Sequence, residues 1–198
     1  MPEPLADEAA HYEVTDREVI GQGRLFTFVR ETVRYGDAEL EREFIEHLGA
    51  VAVLALDDDD QVLLIRQYRH PLRSRDWEIP AGLLDLPDEP RLVAAQRELL
   101  EETGMAAAEW HQLIDLATSP GGSTEVVSIF LARGLVEVAN DYVRDAEEAD
   151  IEARWVPIGD VADAAAAGRL RNGILIAAVF AALAARGSEW RSLRPLNT

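Results

Sequence analysis

The stretch from Gly82 to Met105, GLLDLPDEPRLVAAQRELLEETGM, constrains the fold more tightly than any other part of the chain. At about 100° per residue, a helix through its second half sets Glu98, Glu101 and Glu102 within an arc of roughly 100°. The opposite side carries Leu92, Val93, Leu99 and Leu100, an apolar face suited to burial against a sheet. Asp88 or Glu89 is expected to cap this helix, with Pro90 in its first turn and Gly104 at its end. Like charges three and four residues apart repel, so packing gives no reason for three carboxylates at this spacing. A hard divalent cation relieves the repulsion, because Mg²⁺ and Mn²⁺ take oxygen ligands. The plainer alternative is a solvated acidic face, since the chain carries a net charge of −18.

The sheet for that helix is expected from two apolar runs, Ala50–Leu56 and Val62–Ile65, joined by a polar turn at Asp57–Asp60. Four contiguous aspartates lack the alternating ligand spacing of a calcium loop, so they are read as a turn. Further strands are expected near Leu113–Leu116, Val126–Leu131 and Ala153–Val156, with a short helix at Val161–Ala167 and an apolar final helix. Ahead of them, Leu25–Val29 and Thr32–Tyr35 are β-prone and Gly36-Asp37 marks a turn. The expected organisation is an amino-terminal β element over residues 1–43 and a main domain over 44–198.

Arg97-Glu98-Leu99-Leu100-Glu101-Glu102-Thr103-Gly104-Met105 resembles the end of the Nudix hydrolase signature, Arg-Glu-aliphatic-x-Glu-Glu-x-Gly-aliphatic, at every fixed position. The interval upstream is one residue longer than usual, as in some ADP-ribose-cleaving members. Counting forward from Gly82 reaches Asp88 and counting back from Arg97 reaches Glu89; both stay open as the preceding signature acid. The resemblance implies an α/β (α+β) fold, a Nudix-type α/β/α sandwich with a mixed sheet, beside the small antiparallel β element. It also implies that Glu98 and Glu102 hold Mg²⁺ or Mn²⁺, with Glu101 assisting and the Ala81 carbonyl completing the shell. Glu102 is thereby also a catalytic candidate, while Arg97 is expected to orient a glutamate through an ion pair.

Two features outside the signature resemble ADP-ribose pyrophosphatases, and that likeness runs from about Tyr12 to the final helix. One is Ser119-Pro120-Gly121-Gly122-Ser123, read as a rigid turn whose amides at Gly122 and Ser123 approach a ribose or phosphate. A plain hairpin loop is the alternative. The other is the amino-terminal block, which in that family exchanges across a homodimer. Arg42 and Arg69 match arginines of the substrate cleft, and a guanidinium fork suits paired phosphate oxygens. Glu78 could instead pair with Arg69. Phe26 or Phe28 could stack on adenine, although alternating aromatics in a strand more often face a core.

The general base is expected in the acidic loop Asp145–Asp150, at Glu148 with Glu147 next. The implied activity is hydrolysis of ADP-ribose, a nucleoside diphosphate substrate, to AMP and ribose 5-phosphate. The alternatives are another nucleotide sugar or dinucleotide, or a non-catalytic ADP-ribose sensor. The acidic balance argues against nucleic acid and anionic membranes as partners. No transmembrane segment is expected, because the longest apolar run, Ile174 to Ala185, is too short. The absence of cysteine and of a recognisable signal peptide suits a cytoplasmic protein.

Overall fold

The computed structural model describes residues 5–139 and 150–191, together with Leu193 and Leu196. They divide into two compact units. The first contains the described residues up to His47 and the loop Ser119–Thr124; the second contains Leu48–Thr118 and the described residues from Glu125 onward.

The first unit is an antiparallel sheet in the order β1 (Val14–Gln22), β2 (Thr27–Tyr35), β3 (Ala38–Glu46). Gly36, at φ 62°, makes the expected turn between the last two. The two β-prone runs expected here fuse into the single strand β2, while Leu25 and Phe26 fall outside it. Strand β3 runs through residue 43, and its Ile45 bridges Ser123 of the loop. Every residue of β1 is exposed, so it shows none of the alternation that marks a half-buried strand.

In the second unit, β4 (Ala50–Ala55) is the central element. It pairs in parallel with β9 (Val126–Glu137) and antiparallel with β7 (Ala81–Leu83), in a mixed sheet ordered β7-β4-β9 with β8 (Met105–Ala117) beyond β9. A second sheet is ordered β10 (Glu152–Pro157), β5 (Gln61–Arg69), β6 (Ser74–Glu78). All six residues of β4 are buried because each face meets a helix. Val51, Val53 and Ala55 pack with Ala94, Ala95 and Leu99 of α1 (Arg91–Thr103). Ala52 and Leu54 pack with Leu175, Ala178, Val179 and Ala182 of α3 (Gly173–Gly187). This is the expected α/β/α layering, completed by α2 (Ile158–Ala166).

Two local expectations for α1 require correction. Its N-cap is Pro90, with no side-chain cap, so neither Asp88 nor Glu89 fills that role. Val93 is 46% exposed, and the buried face is formed by Ala94, Ala95 and Leu99. The small alanines let the helix lie close to β4, which places the apolar seam one position beyond the larger valine. Gly104 ends the helix as expected, at φ 73°, where its N–H reaches the Leu100 carbonyl. β8 (Met105–Ala117) then starts directly from it, eight residues before the expected Leu113.

Candidate active site

The acidic side of α1 faces inward. Glu102 is 5% exposed, and the side chains of Glu98 and Glu101 are 13% and 24% exposed. That excludes a solvated acidic face and demands partners for each carboxylate. Glu102 Oε2 accepts the Ala81 N–H at 2.9 Å, tying the last turn of α1 to β7. Arg97 supplies most of the rest. Its Nε and Nη2 donate to the two oxygens of Glu89 at 3.0 and 2.9 Å, and its Nη1 donates to Glu98 at 2.6 Å and Glu101 at 3.2 Å.

The bidentate bond to Glu89 is the main reason that the Arg97 guanidinium holds its proton more tightly than usual. The same bond holds Glu89 below the ordinary carboxylate range. Glu89, not Asp88, is therefore the acid joined to this cluster; Asp88 sits in the preceding turn with φ 60°. Arg97 acts on glutamates, as the sequence suggests.

Gly82 lies against Glu98. A Cβ added there would overlap Glu98 Cγ, Cδ and Oε1, well inside van der Waals contact. The glycine thus makes room for this carboxylate beside β7. Among the described residues, no three His, Asp or Glu side chains form a ready-made cation cage. In this arrangement Arg97 and the Ala81 amide engage the three glutamates. The donor chemistry nonetheless fits a hard divalent ion: every candidate ligand is oxygen, and the space over Gly82 is kept for one of them.

Beside Ala81 and Gly82 opens a cleft of about 510 Å³ that is also lined by Arg69, Glu78, Asp76 and Arg171. Arg69 directs both arms of its fork at Glu78, at 2.9 and 2.7 Å, so the anticipated pairing is made. Glu78 is 5% exposed while the Arg69 side chain is 41% exposed, leaving the cation open to the cleft. Arg171 pairs with Asp76 at 3.1 Å. Sequence reading missed Asp76 and Arg171, since nothing local links residues 95 positions apart.

In the first unit, Arg42 and Ser123 line a separate cavity of about 390 Å³ together with Glu31 and Glu43. The Gly122 and Ser123 amides, expected to approach a ribose or phosphate, both donate to the Ser119 carbonyl at 2.9 Å. Phe26 stacks on His47 with ring centroids 4.7 Å apart, and Phe28 is 38% exposed. Glu147 and Glu148 lie outside the described residues.

A family model described as the NUDIX domain matches residues 46–177. An ADP-ribose pyrophosphatase of Mycobacterium tuberculosis is 42% identical over 188 residues, spanning 94% of this chain and 90% of that protein. A methanol dehydrogenase activator of Bacillus methanolicus is 38% identical over 66% of this chain and 71% of its own length. A solved structure described as an ADP compounds hydrolase superposes with a TM-score of 0.75, covering 92% of this chain and 98% of the other at 22% identity.

Proposed function

The chain belongs to the NUDIX-domain family, and on that footing we propose that it hydrolyses the pyrophosphate bond of ADP-ribose, giving AMP and ribose 5-phosphate. The observation that carries this reading is the buried acidic stripe of α1 behind Gly82, at the edge of an arginine-lined cleft. The name of the 42% identical relative supports the choice of substrate.

Glu98, Glu101 and Glu102, with the Ala81 carbonyl, would hold Mg²⁺ or Mn²⁺. Such an ion, when bound, neutralises pyrophosphate oxygens and acidifies a water molecule. Arg97 holds Glu98 and Glu101 in register while their charges are close together. Arg69 takes the diphosphate by exchanging part of its Glu78 pairing for phosphate oxygens. Arg42, Gly122 and Ser123 belong to the substrate-binding set, with Arg42 and Ser123 on one cavity wall. Glu148 takes the proton of the attacking water; the water oxygen bonds to one phosphorus as the bridging P–O bond breaks, and the bridging oxygen leaves with the other phosphate.

The deciding experiment is a panel of nucleoside diphosphate compounds in Mg²⁺ and Mn²⁺, with products separated by chromatography in ¹⁸O-labelled water. AMP and ribose 5-phosphate, with label on one of them, are the expected result. Inert ADP-ribose with turnover of another panel member would reassign the substrate. ADP-ribose binding without any metal-dependent cleavage would point to a sensor. Within this reading, Arg69→Lys should raise KM about tenfold with little change in kcat, because lysine keeps a charge for Glu78 but loses the planar fork. An unchanged KM would remove Arg69 from the binding set.

A homodimer in the cytoplasm is the setting we favour. Apolar side chains left exposed on the first unit support the dimer, among them Val14, Val19, Ile20, Tyr35 and Ile45, at 39–53%. Light scattering should give twice the chain mass of 21.9 kDa, and a monomer would remove this part of the proposal.

A further inference from the structure

In the second unit, a cavity of about 180 Å³ is walled by Arg75 of β6 and by Arg169 and Arg171 of the segment between α2 and α3. Three guanidinium groups around one small space run against the −18 charge of the chain. The one acid on that wall, Asp76, is already paired with Arg171. Arg75 spends an Nη2 donor on the neutral Asp150 carbonyl at 2.8 Å. No ion pair or side-chain hydrogen bond engages Arg169 among the described residues. The wall therefore keeps a positive excess of two charges.

A second observation concerns Ser74, which lines the same cavity. Its Oγ is enclosed and has no hydrogen-bond partner, so turning about χ1 toward the cavity would cost it no bond. Arginine forks together with an unclaimed hydroxyl are the donor set that takes a tetrahedral oxyanion.

The cavity shares Trp77, Arg169 and Leu170 with a neighbouring groove of about 530 Å³, whose floor includes Leu64 and Val156. Apart from the shared Arg169, that groove carries Asp160 and Asp163 against Arg154, a negative balance that disfavours a second negative group there. We propose that the two spaces form a binding site for a phosphomonoester. Its phosphate lies among Arg75, Arg169 and Ser74, and its uncharged apolar or planar body lies on Trp77 and Leu170. The site contains none of the Glu98–Glu102 cluster but shares Asp76 and Arg171 with the cleft beside Ala81, and its existence does not depend on the substrate assigned above.

Phenyl phosphate and inorganic phosphate, titrated into the full chain by calorimetry at constant ionic strength, test the proposal. Phenyl phosphate should bind about tenfold more tightly, since only it reaches the groove. Arg169→Ala and Arg75→Ala should each weaken it about tenfold or more, while Arg169→Lys keeps part of the affinity. Thermal melting without ligand should match the parent for all three, which separates lost binding from lost folding. ADP-ribose turnover of Arg169→Ala, which touches no part of the Asp145–Asp150 loop among the described contacts, should stay within about twofold. Equal affinity for the two probes would overturn the phosphomonoester assignment. Absence of binding by the unaltered chain at about 10 mM would overturn the site. Binding that ignores both alanine substitutions but is displaced by ADP-ribose would place the anion in the cleft and equally refute the proposal. The binding and melting readouts hold whether or not ADP-ribose is the substrate.

Discussion

Glu102→Gln should melt close to the unaltered protein yet lose about three orders of magnitude in kcat/KM. Glutamine matches glutamate in shape, and its Oε1 can still accept the Ala81 N–H that Glu102 now holds at 2.9 Å. The tie between α1 and β7 survives; the negative charge does not. Charge stabilisation of several kcal/mol at a phosphorus centre corresponds to about 10³-fold in rate. Glu98→Gln should act in the same direction and also raise the Mg²⁺ concentration needed for half-maximal activity. Kinetics across a Mg²⁺ titration, beside a urea or thermal unfolding curve, make the check. Full activity in either variant would refute the metal-binding role of this helix face.

That prediction rests on residues whose placement on one helix face is legible in the sequence. The Arg97–Gly104 segment states both the acid face and the helix end, because a periodicity of 3.6 and a terminal glycine are local signals. β4 was equally plain: Ala50–Ala55 is apolar at every position, the mark of a strand covered on both sides. Other elements carried no such signal. β1 is exposed throughout, and the first half of β8 contains Ala106, Ala107 and Ala108, which have little preference for a strand. A register shift between Gln112 and Ile114 further breaks the alternation of β8.

Pairings across the fold were harder still. Glu89 and Asp88 compete as neighbours in the sequence, and only the approach of Arg97 to Glu89 separates them. The Arg69–Glu78 pair was foreseeable because β5 and β6 are adjacent in the chain. Asp76–Arg171 was not, since Arg171 lies 95 residues further on, in the segment between α2 and α3. Local chemistry was readable, then, wherever one element contained the whole pattern, as α1 does.

Gly82 is the exception: its importance lies across two elements, and it supplies the sharpest remaining prediction. The residue sits in β7, paired with Val51, with no left-handed φ that would exclude a side chain. Backbone conformation alone thus permits alanine. The Glu98 carboxylate does not, because the new methyl would occupy its position. Gly82→Ala should therefore displace Glu98 from its place beside β7, lowering kcat/KM by about 10²-fold or more. Crowding should also cost about 1–2 kcal/mol of stability in urea unfolding.

A double-mutant cycle isolates the cause. With Glu98→Ala already present, no carboxylate remains for the methyl to strike, and the stability cost of Gly82→Ala should fall to near zero. An equal cost in both backgrounds would mean that alanine disturbs the β7–β4 pairing itself. The glycine would then serve the strand rather than the acid.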